Sequence, residues 1–195
     1  MKNILVYCGS SAGYDAVYSE VATAAGKSIA AKGQRLIYGA GSGGIMGIIA
    51  DSVLAAGGEV IGVIPSFMGP WEVQHPNLTE CHVVESMHAR KQLMAEISDA
   101  VVALPGGWGT MDELFEILTW RQLGLHKMPV GLLNVNGFYD PLIAMIDKMV
   151  TEGFLKDFNR EMLLIDTDFD SLMKQLENHE VKDTSVDKWI KSDKM

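Results

Sequence analysis

The sequence has few cysteines and few positive charges, and both shortages limit what the chain can be. Its two cysteines, Cys8 and Cys81, cannot form a disulfide framework, and a reducing cytoplasm is the expected location. The 16 basic residues against 25 acidic ones leave a formal net charge of -9. That balance argues against a non-specific nucleic-acid binder, which needs a basic surface.

Membrane segments and metal-binding motifs are also missing from the sequence. No apolar run is long enough to cross a membrane, so we expect no membrane partner. The N-terminus lacks the long apolar segment and cleavage site of a signal peptide. The 5 histidines show no metal-ligand spacing, so no metal is expected. The 12 methionines fall mostly at helical core positions, where gap filling explains them.

Short apolar runs alternate along the chain with longer segments of helical periodicity, which predicts an α/β protein. The runs are continuously apolar, as in a parallel sheet covered on both faces, so we expect a Rossmann-like, doubly wound fold. Residues 1–180 are predicted to form a single nucleotide-binding domain, and 181–195 a charged tail. The predicted strands are Ile4–Cys8, Arg35–Tyr38, Val60–Ile64, His82–Val84, Ala100–Leu104, Pro129–Leu133 and Met162–Ile165. The predicted helices are Tyr14–Lys32, Ile45–Ala56, Ser86–Ile97, Thr110–Leu123, Tyr139–Val150 and Phe169–Leu176, with a long loop at 66–80.

Three predicted strands end in small residues, where open parallel sheets bind their ligands. Glycine lets backbone N–H groups approach a ligand, and a following helix adds a positive dipole end. The turn Gly39–Gly44 formally matches GxGxxG, but no acid follows at the end of the next strand, so a dinucleotide site is not favoured. Either close packing or a phosphate or ribose contact explains these glycines. The further candidates for substrate binding are therefore Gly9, Ser10, Gly39, Gly41 and Gly43.

The segment Pro105–Glu113, PGGWGTMDE, poses the same choice more sharply. Thr110 as N-cap and Glu113 three residues later fit a capping box, which needs no ligand. A capping box does not require Gly106, Gly107 and Gly109, whereas a loop that cradles phosphate does. The spacing slightly favours the phosphate loop.

Together these residues resemble the Lonely Guy family of cytokinin-activating phosphoribohydrolases, whose members were often labelled lysine decarboxylases. The family motif PGGxGTxxE is present as Pro105–Glu113, and a second motif, Met-x-x-Arg-Lys, as Met87–Lys91. The opening VYCGSSAG, Val6–Gly13, is also similar. The resemblance runs from about residue 3 to 165 and does not cover the tail. It implies a Rossmann-like fold, a homodimer, no cofactor, and hydrolysis of a nucleoside 5′-monophosphate to free base and ribose 5-phosphate.

The resemblance also implies roles for particular residues. Arg90 and Glu113 would be the catalytic pair, and Gly107, Gly109 and Thr110 would hold the 5′-phosphate. Trp108 occupies the variable position of the motif. The full set of expected substrate contacts is Glu72, Arg90, Lys91, Gly107, Trp108, Gly109, Thr110, Met111, Asp112, Glu113 and Thr119.

Each assignment has a simpler alternative without the resemblance. Arg90 and Lys91 would form a solvated helix face, and Thr119 would be a helix-surface residue. Ser10 and Ser11 would cap the following helix or touch ligand. The whole chain would be a non-catalytic nucleotide-binding or carrier protein. A lysine decarboxylase is disfavoured because nothing in the sequence marks an anchor for pyridoxal phosphate.

Overall fold

In a computed structural model, which describes residues 1–68 and 74–179, the chain forms one parallel sheet of seven strands. Most strands are short runs of apolar residues that are largely buried, as expected when helices cover both faces, whereas the edge strand Glu80–Val84 is more exposed. The strands are β1 Asn3–Tyr7, β2 Arg35–Tyr38, β3 Glu59–Pro65, β4 Glu80–Val84, β5 Ala100–Ala103, β6 Val130–Leu133 and β7 Leu163–Asp166.

The strand order is β4-β3-β2-β1-β5-β6-β7, and every described pairing between these strands is parallel. The chain first builds outward from β1 to β4, then crosses back and builds from β5 to β7 on the other side. The order therefore reverses between β1 and β5, which is where loops diverge and ligands bind in open α/β sheets.

Helices cover both faces of the sheet. They are α1 Ala16–Ala31, α2 Gly44–Ala55, α3 Met87–Glu96, α4 Trp108–Gln122, α5 Asp140–Thr151, α6 Asp157–Arg160 and α7 Phe169–Asn178. One core cluster joins the sheet to α1, α2 and α7, and a second joins the opposite face to α3, α4 and α5. The predicted Rossmann-like, doubly wound fold is confirmed.

Element boundaries differ from the prediction in a few places. α1 begins at Ala16 because Asp15 caps it through its side chain, which leaves Tyr14 outside the helix and fully exposed. The predicted loop at 66–80 contains a short 3-10 helix, and β4 begins earlier than expected, at Glu80. The short α6 was not predicted, because four residues carry no periodicity. The expected tail, 181–195, lies outside the described residues.

None of the helices in the described ranges is both long enough and apolar enough to cross a membrane.

Candidate active site

A cavity of about 250 Å³ lies at the carboxyl ends of β1, β2 and β5, beside the point where the strand order reverses. The residues that line it come from six segments far apart in sequence. They are Val6, Tyr7, Cys8, Gly9, Ser10, Gly39, Met46, Met68, Met87, Arg90, Gly107, Trp108, Gly109, Thr110, Asp112 and Glu113. The two residues of the predicted catalytic pair therefore face the same cavity.

The helix at the cavity begins two residues earlier than predicted. α4 starts at Trp108, its N-cap is Gly107, and no side chain caps it. The capping-box interpretation is therefore wrong: Thr110 is the third helical residue and Glu113 the sixth. Glycine is an accepted N-cap, which allows this earlier start. The first N–H groups of α4 consequently lack a side-chain cap and point toward the cavity end of the helix.

The glycines around the start of α4 serve two different purposes. A Cβ on Gly106 would come within 2.1 Å of the Thr110 hydroxyl and 2.8 Å of the Gly9 nitrogen, so close packing requires glycine there. A Cβ on Gly107 or Gly109 would meet nothing within 4 Å. Packing therefore explains Gly106, while Gly107 and Gly109 border open space that a ligand can occupy.

Arg90 is buried beneath the cavity, not exposed on a solvated helix face. Its side chain is directed by two backbone carbonyls: Nε donates to Val63 at 3.1 Å and Nη2 donates to Gly39 at 2.7 Å. Nη1 lies 3.8 Å from the sulfurs of Met68 and Met87, which are weak acceptors. Since Nη1 has only these weak partners among the described hydrogen bonds, it is the end best placed to bind a stronger acceptor.

The glycine turn after β2 is largely explained by packing. A Cβ on Gly44 would lie 2.3 Å from the backbone of Ser10, and Gly44 has a φ of +60°. A Cβ on Gly41 would crowd Met46 at 3.1 Å. Gly43 is the N-cap of α2. Gly41 and Gly43 are not among the residues lining the cavity, whereas Gly39 is.

Glu113 is half-buried and gives the cavity a negative charge. Burial raises the pKa of the Tyr7 phenol well above its ordinary value, and the Glu113 carboxylate raises it further. The pKa of the Cys8 thiol is raised by the same two causes, burial first. Both groups therefore stay protonated at neutral pH, so the cavity wall next to Glu113 is uncharged at these two side chains.

Lys91 is also buried, but it is not among the residues that line the cavity. Its ammonium nitrogen lies 3.1 Å from an Asp112 oxygen and 3.0 Å from a Glu116 oxygen on α4. Burial lowers the pKa of Lys91, but hydrogen bonds to Glu116 and Asp112 outweigh that effect and raise it overall. Lys91 thus stays charged and joins α3 to α4.

The other predicted site residues are spread more widely. Gly9 and Ser10 line the cavity, and Ser10 does not cap α1, whose N-cap is Asp15. Met111 and Thr119 line a second, open groove between α4 and α5, which shares Trp108 and Asp112 with the cavity. Glu72 lies outside the described residues.

Six residues of the cavity wall were not predicted as site residues: Val6, Tyr7, Cys8, Met46, Met68 and Met87. The methionines were interpreted as core residues, since Met fills gaps and its presence does not distinguish a core from a pocket wall. Spacing could have identified Met87 as a wall residue, because it lies three residues before Arg90 and therefore on the same side of α3.

Across residues 1–68 and 74–179, no group of three or more His, Cys, Asp or Glu side chains is arranged to hold a metal ion.

Comparison with known proteins agrees with the fold and with the family that the motifs indicate. A family model described as "Possible lysine decarboxylase" matches residues 46–176. The cytokinin riboside 5'-monophosphate phosphoribohydrolase LOG of Oryza sativa subsp. japonica is 46% identical over 178 residues, covering 91% of this chain and 74% of the rice protein. An Arabidopsis thaliana protein of the same activity name is 45% identical over 178 residues, covering 91% of this chain and 84% of its own.

Solved structures with the same fold include carriers of a different ligand. The molybdenum cofactor carrier protein of Chlamydomonas reinhardtii superposes with a TM-score of 0.69 at 25% identity, covering 91% of this chain and 99% of the carrier. A molybdenum cofactor binding protein of Rippkaea orientalis superposes with a TM-score of 0.68 at 21% identity, covering 91% and 96%. The family-model match and the identity to the plant enzymes together show that this chain belongs to the Lonely Guy (LOG) family.

Proposed function

We propose that this protein hydrolyses the N-glycosidic bond of adenosine 5′-monophosphate, including forms modified at N6, to free base and ribose 5-phosphate. The activity is the one named for the plant relatives, and it would activate a cytokinin. The observation that carries the proposal is that Arg90, Glu113 and the uncapped start of α4 face one cavity. This combination supplies an anion site, a cation and a carboxylate within one small volume.

The start of α4 is the proposed site of the 5′-phosphate. The N–H groups of Trp108, Gly109 and Thr110 are the first three of the helix and have no intrahelical acceptor. The helix dipole adds a partial positive charge at the same end. The open space beside Gly107 and Gly109 lets a phosphate approach these N–H groups directly.

Glu113 is the proposed group that acts on the sugar. As the bond between C1′ and the base nitrogen breaks, its electrons leave with the base, and positive charge builds on the ribose. A carboxylate beside the sugar stabilises that charge, or it accepts a proton from the water that attacks C1′. Overall the water gives its hydroxyl to C1′ and one proton to the departing base. Glu113 is five residues further along the same helix than Trp108, so the phosphate anchor fixes where the sugar lies relative to it.

Arg90 is proposed to act as a fixed positive charge. A guanidinium is a poor proton donor because its pKa exceeds about 12. Its bonds to Val63 and Gly39 hold it in place before substrate arrives, so little rearrangement is needed when negative charge develops on the leaving base or on the phosphate.

A non-catalytic nucleotide carrier is the second candidate function. It is favoured by the similarity of the fold to the molybdenum cofactor carriers. The two candidates differ in outcome, because a carrier would bind the nucleotide and release it intact.

A lysine decarboxylase, the activity in the description of the family model, fits the site poorly. That reaction needs a lysine free to form a Schiff base with pyridoxal phosphate. Lys91, the lysine next to Arg90, is held by Asp112 and Glu116 and lies outside the cavity wall. No step of the proposed reaction passes through that cofactor.

The proposal includes a homodimer formed through α4. Trp108 is 93% exposed and Phe115 is 37% exposed, and both lie on one side of the helix together with Thr119. Leu114 and Ile117, on another side of the same helix, are buried in the protein's own core. Thr119 is about 9 Å further along α4 than Glu113. As a substrate contact it would therefore serve the cavity of the partner subunit.

The product test separates these functions. AMP and isopentenyladenosine monophosphate are incubated with the protein, and the products are separated by chromatography. The proposal expects free base and ribose 5-phosphate in equal amounts. Intact nucleotide that co-elutes with the protein would favour the carrier, and carbon dioxide from lysine would favour the decarboxylase.

A cytoplasmic location is part of the proposal, since Cys8 and Cys81 are free thiols.

A further inference from the structure

The second and third turns of α4 carry three carboxylates within five residues, Asp112, Glu113 and Glu116. Asp112 and Glu113 line the same cavity as the place proposed for a phosphate dianion, and Glu116 follows one turn after Asp112. Asp112 lines the cavity itself, and its side chain is 62% exposed. Left unbalanced, this charge would repel the group that the start of the helix is built to attract.

Lys91 lies where it can balance that charge. Asp112 and Glu116 are four residues apart on α4, so they project from the same side and repel each other. The Lys91 ammonium lies between them, 3.1 Å from one carboxylate and 3.0 Å from the other. The lysine side chain is only 8% exposed and Glu116 is 24% exposed, so their contact is less screened by solvent than the contact with Asp112, which is 62% exposed.

The same contact ties together the two helices that build the site. Lys91 follows Arg90 directly on α3, and Asp112 precedes Glu113 directly on α4. An ion pair between Lys91 and Asp112 therefore fixes the distance between the backbone positions that carry the guanidinium and the carboxylate of the cavity.

We propose that Lys91 is a positioning residue that does not touch substrate but neutralises Asp112 and Glu116, so that a phosphate dianion can approach the start of α4. This inference rests on the proposed function and deepens it, because it assigns the control of phosphate entry to an ion pair outside the cavity wall. Lys91 and Arg90 therefore have different roles, although the two residues are neighbours in one motif.

The test is a charge-rescue experiment with AMP as the probe, in which binding is measured by calorimetry and turnover by base release. Lys91→Met is expected to raise Kd and KM about tenfold, with kcat changing much less, because repulsion acts on entry of the dianion. Adding salt should shrink the defect. Lys91→Arg, which keeps the charge and can contact both carboxylates, should stay near the wild type.

The decisive variant is Lys91→Met combined with Asp112→Asn and Glu116→Gln. If Lys91 acts through the two carboxylates, removing them restores Kd and KM to near the wild-type values. If the lysine contacts phosphate directly, the defect persists in the triple variant and the inference is overturned. The matched control combines Lys91→Met with Asp170→Asn and Glu177→Gln, two acids on α7, which should restore nothing.

A purely structural role is distinguished by stability. Should Lys91→Met lower the melting temperature and kcat together while Kd is unchanged, the positioning role is wrong. Failure of the proposed function leaves the inference testable, because AMP binding needs no turnover. Wild-type protein that binds AMP without cleaving it would overturn the proposed function alone, and wild-type protein that does not bind AMP would overturn both.

Discussion

Arg90 reaches the cavity because residue 39 has no side chain. Its Nη2 atom donates a 2.7 Å hydrogen bond to the Gly39 carbonyl. A Cβ built on Gly39 would lie 1.8 Å from that same nitrogen and 2.9 Å from the end of Met46. The glycine at the end of β2 is therefore explained by the placement of a guanidinium, not by a dinucleotide.

Gly39→Ala should displace Arg90 and lower kcat/KM for AMP by about 100-fold, the scale expected when a catalytic group is misplaced by about 1 Å. The measurement is base release under steady-state conditions, with the fold checked by circular dichroism. Gly33→Ala is the control, since Gly33 has a φ of +64° but a Cβ there would meet nothing within 4 Å. The control should cost about 1 kcal/mol of stability and leave kcat/KM unchanged. Equal activity of Gly39→Ala and the wild type would contradict the assigned role of Arg90.

Two glycines of the PGGWGT loop should respond to alanine in opposite ways. Gly109→Ala places a methyl group in open space within the first turn of α4, so the melting temperature should hold while KM for AMP rises about tenfold. Gly106→Ala forces the loop away from Thr110 and Gly9, and should cost about 1–3 kcal/mol of stability. Thermal unfolding and steady-state kinetics measure the two effects. Loss of stability in Gly109→Ala with an unchanged KM would show that this glycine is needed for packing.

The order of strands and helices was predictable because most strands are continuous apolar runs and because glycine or proline turns separate the elements. The convergence of Arg90 and Glu113 was predictable only through the family motifs, since they lie on different helices. Periodicity could not reveal that Arg90 and Lys91 are buried, because their partners are carbonyls and carboxylates distant in sequence. The start of α4 was misjudged because Thr and Glu at capping-box spacing outweighed a glycine N-cap in the sequence.

Phe115→Asp should convert the proposed homodimer to monomer. Phe115 is 37% exposed on α4, so a charge there disturbs the α4 surface more than the core. Light scattering at micromolar concentration measures the mass, and Phe154→Asp, at a residue that is 87% exposed beyond α5, is the control. If Thr119 serves the partner's cavity, the monomer should also lose affinity for AMP. A wild-type protein that is monomeric under these conditions would remove the basis for this prediction.

Asp170 should stabilise the docking of α7 on α1 in a pH-dependent way. Its carboxylate accepts a 2.6 Å hydrogen bond from Ser28 and lies 3.0 Å from Lys32, and these contacts lower its pKa, the Ser28 bond most. A lowered folded-state pKa gives stability that is present above the ordinary value of 3.8 and is lost as the pH falls through the folded value. Since the side chain is 58% exposed, Asp170→Asn should cost no more than about 0.5 kcal/mol at pH 7.

Thermal unfolding of Asp170→Asn and wild type across a pH series measures this effect. The gap between the two melting temperatures should narrow as the pH falls below about 4. Glu177→Gln, on the same helix, is the control and should show no such trend. A gap that stays constant down to pH 2 would mean that the Asp170 charge contributes nothing.

The proposed role of Glu113 is tested most directly by base release from AMP by Glu113→Gln beside the wild type. Glutamine keeps the size of the side chain and removes its charge, and no capping interaction is lost because α4 begins at Trp108. We expect wild type to release free adenine, and Glu113→Gln to bind AMP but to release adenine at least about 100-fold more slowly. Glu177→Gln should match the wild type. If Glu113→Gln cleaved AMP at the wild-type rate, the proposed role of Glu113 would be wrong, because the carboxylate would then take no part in breaking the bond.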